Sequence, residues 1–156
     1  MAVPPKERFF EDFRPGEVLE FGDYLVTEEE IVEFAKRYDP QPFHVDHEAA
    51  DRSIYGGLIA SGWLTGSIVM RLLVDHFISP VSSMGSPGVD EIRWTKPVRP
   101  GDRLKLRVTV VETRRSQSKP DRGIVQVQEE AINQDGETVM SIRGMGLYRC
   151  RGGDED

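Results

Sequence analysis

From residue 103 to residue 110, polar and apolar side chains alternate without a slip. Leu104, Leu106, Val108 and Val110 stand against Arg103, Lys105, Arg107 and Thr109. Such alternation marks a strand with one buried and one solvated face, and it predicts a strand over 103–113. Two more strands are predicted at 123–133 and 137–149, joined by the hairpin turn Gln134-Asp135-Gly136. A strand over 89–99 precedes them, closed by the turn Pro100-Gly101-Asp102, and another is predicted over 17–26 after the turn signal Pro15-Gly16. Residues 79–88 and 116–122 are expected to be loops.

Elsewhere the period changes to that of a helix. Ile31, Phe34, Ala35 and Tyr38 repeat at i, i+3, i+4 and i+7, which predicts one buried helical face. Thr27 and Glu30 spell a capping box before it, and Glu28 and Glu29 suit the positive end of the helix dipole. Asp46 can cap a short helix over 47–52, which Tyr55-Gly56-Gly57 breaks. Residues 58–77 are the most apolar stretch. Trp63, Leu64, Ile68, Leu72 and Phe77 predict a helix buried on much of its surface. Its first half is crowded with Ala60, Ser61, Gly62, Thr65, Gly66 and Ser67. A glycine inside a helix costs about 1 kcal/mol, so the crowding suggests that a ligand or another chain passes close by.

A strand, then helices, then a run of antiparallel strands implies an α+β domain with helices on one face of a sheet. The expected domain covers 9–149, with flexible termini at 1–8 and 150–156. A chain of 156 residues can bury a core of its own without staples. The net charge of −7 argues against a nucleic-acid footprint. No stretch reaches the roughly 18 apolar residues a membrane span needs, and the N-terminus lacks a signal-peptide core. The single cysteine, Cys150, has no intrachain partner. Together these features predict a cytoplasmic protein with no membrane partner.

The candidate chemistry lies in Tyr38-Asp-Pro-Gln-Pro-Phe-His-Val-Asp-His47. Asp39 and His44 are five residues apart, and Pro40 and Pro42 argue against a regular helix between them. The segment is expected to be a stiffened loop that holds a carboxylate and an imidazole in fixed relation. Alone, Asp39 reads as a helix-end residue and His44 as a structural histidine; together they form a candidate acid–base pair. His44, Asp46 and His47 include zinc-compatible ligand types. Asp46 is better used as a cap and His47 as a solvated first-turn residue, so no metal is expected.

Three pieces in order are more specific: Phe34-Ala-Lys-Arg-Tyr-Asp39-Pro-Gln-Pro-Phe-His44-Val-Asp, Tyr55-Gly-Gly-Leu-Ile-Ala-Ser61-Gly62-Trp63, and Arg93-Trp-Thr-Lys-Pro-Val-Arg-Pro-Gly-Asp102. This pattern resembles the MaoC-like dehydratases, which include the (R)-specific enoyl-CoA hydratases, over roughly residues 9–148. The resemblance implies a single hotdog domain, an antiparallel sheet wrapped around a long central helix at about 61–77. It implies dimers or higher assemblies with joined sheets. It also implies reversible hydration of a trans-2-enoyl-CoA thioester to a 3-hydroxyacyl-CoA. Asp39 and His44 take the catalytic positions, and Gly62 the position whose N–H holds the thioester oxygen, with Ser61 beside it in the substrate site. No separate cofactor is implied, because coenzyme A belongs to the substrate. One departure is visible: many family members carry Asp-x-Asn-Pro-x-His, and Gln41 stands here in place of the asparagine.

Two other functions compete. Hotdog acyl-CoA thioesterases place a carboxylate on the central helix, where this chain has only Asp75, near the far end. A non-catalytic acyl-CoA-binding subunit would leave the Asp39–His44 pair idle. Arg93, Lys96, Arg114 and Arg115 have the charge to meet coenzyme A phosphates, although exposed strand charges seldom do so.

Overall fold

The computed structural model describes residues 2–152. The alternation at 103–110 becomes β3 (Arg103–Arg115), in which Leu104, Leu106, Val108 and Val110 are fully buried. The other strands are β1 (Val18–Leu25), β2 (Val89–Trp94), β4 (Arg122–Ile132) and β5 (Thr138–Arg149). They form one antiparallel sheet in the order β1-β3-β4-β5-β2. The hairpin between β4 and β5 turns on Gly136, whose φ of 77° suits glycine, and Asn133 Oδ1 accepts from the N–H groups of Asp135 and Glu137.

Register places inward residues of neighbouring strands side by side in rows. One row runs Leu106, Ala131, Met140 and Trp94; the next runs Val108, Glu129, Ile142 and Ile92; a third runs Val110, Val127, Gly144 and Val89. Against these rows lies α4 (Gly62–His76), burying Leu64, Ile68, Val69, Leu72 and Leu73. Each fully buried aliphatic side chain contributes about 1.5–3 kcal/mol. β1 approaches α4 most closely at a bulge containing Gly22, where φ is 91° and a Cβ would stand 2.6 Å from Leu72 Cδ2. The architecture is thus the expected α+β one, with a sheet around a long helix.

The chain departs from the expected boundaries where caps and prolines decide. The long helix begins at Gly62 because Ser61 caps it. Residues 58–60 are extended instead: Ile59 N–H donates to Phe43 O and Ala60 N–H to Val98 O. Trp63 is exposed, as are Met70 and Val74, so α4 carries an apolar stripe that this chain leaves uncovered. β2 ends at Trp94, three residues before Pro97, which cannot donate to a ladder. Helix α1 (Glu28–Tyr38) forms as expected, but Tyr38 at its end is exposed. Thr27 Oγ1 caps Glu30 N–H, while the Glu30 carboxylate accepts from the Tyr24 hydroxyl rather than closing the box.

Within the described residues, 2–8 and 150–152, the expected flexible termini are docked. Pro5–Glu7 form a turn of 3-10 helix, and Arg8 is buried with both terminal nitrogens on the Glu17 carboxylate at 2.6 and 2.8 Å. The hydroxyls of Ser79 and Ser82 donate to the carbonyls of Lys6 and Arg8. Cys150 is buried, and Arg151 pairs with Asp12 at 2.6 Å. These polar partners lie far away in sequence, so nothing local announced them. Residues 153–156 lie outside the described residues.

Candidate functional site

Asp39 is the residue at which α1 ends. Its N–H still donates to Ala35 O at 2.8 Å, while its own φ and ψ of −151° and 65° leave the helix, as Pro40 requires. The following segment is not an open loop. Pro42–Val45 form one helical turn, α2, and His47–Asp51 form α3. Pro42 occupies the first position of α2, where its missing N–H is not needed and its fixed φ is suitable. The proline that argued against a helix therefore starts a short one, and that turn carries His44 inward.

His44 is buried, with Nδ1 2.7 Å from Ile59 O and Nε2 3.2 Å from Asp39 Oδ2. A carbonyl can only accept, so Nδ1 carries a proton. In the neutral ring Nε2 is then the free lone pair, and it faces Asp39. A proton added to this pair lies between Nε2 and the carboxylate, which is the arrangement general acid–base work requires.

Gln41 resolves what its extra methylene does: its Nε2 reaches back to Asp39 Oδ1 at 2.7 Å. Burial pushes the Asp39 carboxyl up, but the hydrogen bond from Gln41, the nearby Ser61 hydroxyl and the charge of His44 together hold it below the ordinary aspartate range. Asp39 therefore stays ionised beside the imidazole.

Gly62 lines the same cavity as this pair, whereas Ser61 lies behind it against Asp39. Ser61 is fully buried and caps α4, its Oγ accepting from Trp63 N–H at 3.3 Å. Gly62 is the first residue of α4, so its N–H has no partner within the helix and lies at the positive end of the dipole. The glycine is required by a neighbour that the sequence did not reveal. Trp94 Nε1 donates to Gly62 O at 2.8 Å, and a Cβ on Gly62 would fall 2.5 Å from the indole. The space beside the Gly62 Cα is therefore filled by Trp94.

An open cavity of about 430 Å³ joins these pieces; Asp39, His44, Gly62, Thr65, Trp94 and Lys96 are among its walls. Sequence reasoning missed Tyr55, Thr65 and Trp94 as wall residues. The three come from separate elements, and only the packing of β2 against the start of α4 brings Trp94 in. Of the four basic candidates only Lys96 lines the cavity, where it pairs with Glu137. Arg93 pairs with Glu91 and Arg115 with Glu11 at 3.1 Å. Asp46 caps α3 through Glu48 N–H at 2.9 Å, and His47 pairs with Glu28, so neither joins His44 in a ligand set. Asp75 is held by Arg71 at 3.0 Å, at the opposite end of α4 from the cavity.

Residues 11–133 match the family model described as the MaoC like domain. The MaoC-like dehydratase from Rhodospirillum rubrum superposes with a TM-score of 0.87 at 41% identity, covering 92% of this chain and 98% of that one. Protein MaoC of Klebsiella aerogenes is 32% identical over 69% of this chain, which spans 32% of that protein's length. Mesaconyl-CoA hydratase of Cereibacter sphaeroides is 29% identical over 92% of this chain, again only 42% of the longer protein. Among the described residues, no helix is long and apolar enough to cross a membrane.

Proposed function

From the premise that this chain belongs to the MaoC-like domain family of hydratases and dehydratases, we propose that it reversibly hydrates a trans-2-enoyl-CoA thioester to the 3-hydroxyacyl-CoA. The observation that carries this reading is the Asp39–His44 pair, with Nδ1 committed to Ile59 O and Nε2 beside the Asp39 carboxylate, in the walls of a cavity that also includes Gly62 at the start of α4. In the mechanism, a water on the cavity side of the pair is held by both Nε2 and Asp39. Nε2 takes one of its protons as the oxygen bonds to the β-carbon. The π electrons move toward the thioester oxygen, where the Gly62 N–H and the helix dipole stabilise the enolate. The ionised Asp39 stabilises the imidazolium that forms. Nε2 then returns its proton to the α-carbon as the enolate collapses, so one water has been added in total. No redox group or metal takes part in these steps; coenzyme A enters as part of the substrate.

The assay follows loss of the conjugated thioester absorbance with crotonyl-CoA and longer enoyl-CoAs. Hydration that is lost in both Asp39→Asn and His44→Ala supports the assignment. Release of free coenzyme A thiol without hydration would replace it with a thioesterase. Thermal stabilisation by acyl-CoA without turnover would replace it with a binding subunit.

The same reading includes a second copy of the chain. Trp63, Met70 and Val74 form an exposed stripe at i, i+7 and i+11 on α4, and β2 leaves an open edge at the side of the sheet. Paired edges with covered stripes relieve both liabilities. Sedimentation at low micromolar concentration should give twice the chain mass, and a monomer at that concentration excludes the pairing.

A further inference from the structure

A second cavity, of about 220 Å³, lies between α4 and the inward face of β4 and β5. Three of its wall glycines lie on the helix and the sheet. Gly66 faces it from the helix, and Gly144 and Gly146 from the sheet, so three inward positions contribute no side chain. Most of the remaining walls are apolar, including Val69, Met70, Leu73, Phe77 and Val127. Into this lining projects Glu129, which is 9% exposed. Among the described residues its carboxyl has no hydrogen-bond or ion-pair partner, and no lysine, arginine or histidine lines the cavity. Tyr148 is the one other titratable wall residue, and burial and the charge of Glu129 keep its phenol protonated. Its oxygens are open to the space of the cavity, and the proposed mechanism gives this carboxyl no task.

The second cavity lies beside the first along α4, with no wall residue in common. Thr65 lines one and Gly66 the other. Trp94, bonded to Gly62 O, shares its row with Met140, whose Cε stands 3.4 Å from the Cβ position of Gly66. Glu129 sits one row further, two residues beyond Ala131, or roughly 7 Å along the sheet. Met140 is buried and lines neither cavity, so its unbranched side chain is the one that the tail of a thioester held at Gly62 N–H would displace to reach Glu129.

We propose that this cavity receives the tail of the acyl group, and that Glu129 selects tails ending in a hydroxyl over plain alkyl tails of the same length. The proposal rests on the thioester reading above. A hydroxyl suits Glu129 better than an ammonium for a chemical reason. Burial pushes this carboxyl up to about 7, so both protonation states are present near neutrality. A hydroxyl donates to the carboxylate and accepts from the carboxylic acid, whereas an ammonium satisfies only the first. The glycines provide room for the chain, and the carboxyl provides the single directional contact.

The test measures calorimetric binding of hexanoyl-CoA, octanoyl-CoA and the two corresponding terminal alcohols to the wild type, Glu129→Leu and Glu129→Gln. Hydration of the matching enoyl-CoAs is followed in parallel. The wild type is expected to bind the alcohol about tenfold or more tightly than the alkyl thioester at one of the two lengths. Glu129→Leu should reverse that order, and Glu129→Gln should keep it. Equal affinities in the wild type, or an unchanged ratio in Glu129→Leu, overturn the proposal even if the enoyl-CoAs are hydrated. Selective binding of an alcohol without any hydration upholds the selection and defeats the hydratase reading instead. Failure of all four thioesters to bind defeats both.

Discussion

Asp39 and Glu129 are two carboxylates on cavities along the same helix, held in opposite ways. Asp39 has an amide from Gln41 at 2.7 Å, an imidazole at 3.2 Å and a helix end beneath it, and it lies below its ordinary range. Glu129 has apolar walls and no partner among the described residues, and it is pushed up to about 7. Both carry the same functional group; the difference is whether local chain geometry supplies donors. The segment around Asp39 turns polar groups toward it within five residues. Glu129 sits mid-strand, where neighbouring backbone donors are committed to the ladder and the facing row is aliphatic or glycine.

The largest expected effect attacks the partnered side. His44→Ala and Asp39→Asn should each lower the rate of enoyl-CoA hydration by about 10²–10⁴-fold, the range for a positioned acid or base. Circular dichroism should show the fold retained. A variant that keeps more than a third of the wild-type rate would mean that the pair only shapes a turn.

Next comes the unpartnered side, read through pH. The folded pKa of Glu129 is raised from 4.5 to about 7, so the native state holds a proton that the unfolded chain has lost. Stability therefore falls as pH rises across this window. A shift of 2.5 units at 1.36 kcal/mol per unit sets an upper bound of about 3 kcal/mol. Denaturant melts at pH 5 and pH 8 should show wild type losing ground relative to Glu129→Leu at the higher pH. A constant difference between the two proteins would show that Glu129 finds a partner in solution.

Gly62→Ala tests the start of α4 beside the first cavity. Its Cβ would meet the Trp94 indole at 2.5 Å, and overpacking of this kind costs about 1–3 kcal/mol. Combining it with Trp94→Phe should restore part of the stability measured by chemical denaturation. If Gly62→Ala alone is neutral, the indole moves freely and does not fix the helix start.

The smallest effects trim each side. Gly66→Ala has ordinary clearance, 3.4 Å from Met140, and should stabilise the fold by about 0.5–1 kcal/mol in thermal melts. Gln41→Ala removes one of the donors that lower Asp39. A carboxylate with a lowered folded pKa adds stability above its unfolded pKa and loses it as pH falls through the folded one. Gln41→Ala should therefore move the acid limb of stability upward while changing neutral-pH stability by about 1 kcal/mol or less. An unmoved acid limb would show that Ser61 and His44 suffice.

How much could be read in advance varies with the range of the interaction. The alternation of β3 was legible because one face meets a continuous core, so side-chain period and burial coincide. The Asp39–His44 spacing was legible because both lie in one short segment. The apolar stretch 58–77 begins four residues before α4, although the resemblance put the helix at about 61–77; residues 59 and 60 are instead tied by bonds to Phe43 and Val98, which no local propensity encodes. Trp94 was missed because its role at Gly62 depends on β2 packing beside a helix that begins more than thirty residues earlier.

By itself, then, the order of residues determined the α+β class, the strands, the helices other than the turn at Pro42–Val45, and the carboxylate–imidazole pair, because each depends on neighbours a few positions apart. Tertiary structure alone decided the direction of Nε2, the need for glycine at 62, and the isolation of Glu129. Those three depend on Ile59 O, the Trp94 indole and the rows of the sheet, which are brought together only when distant segments pack.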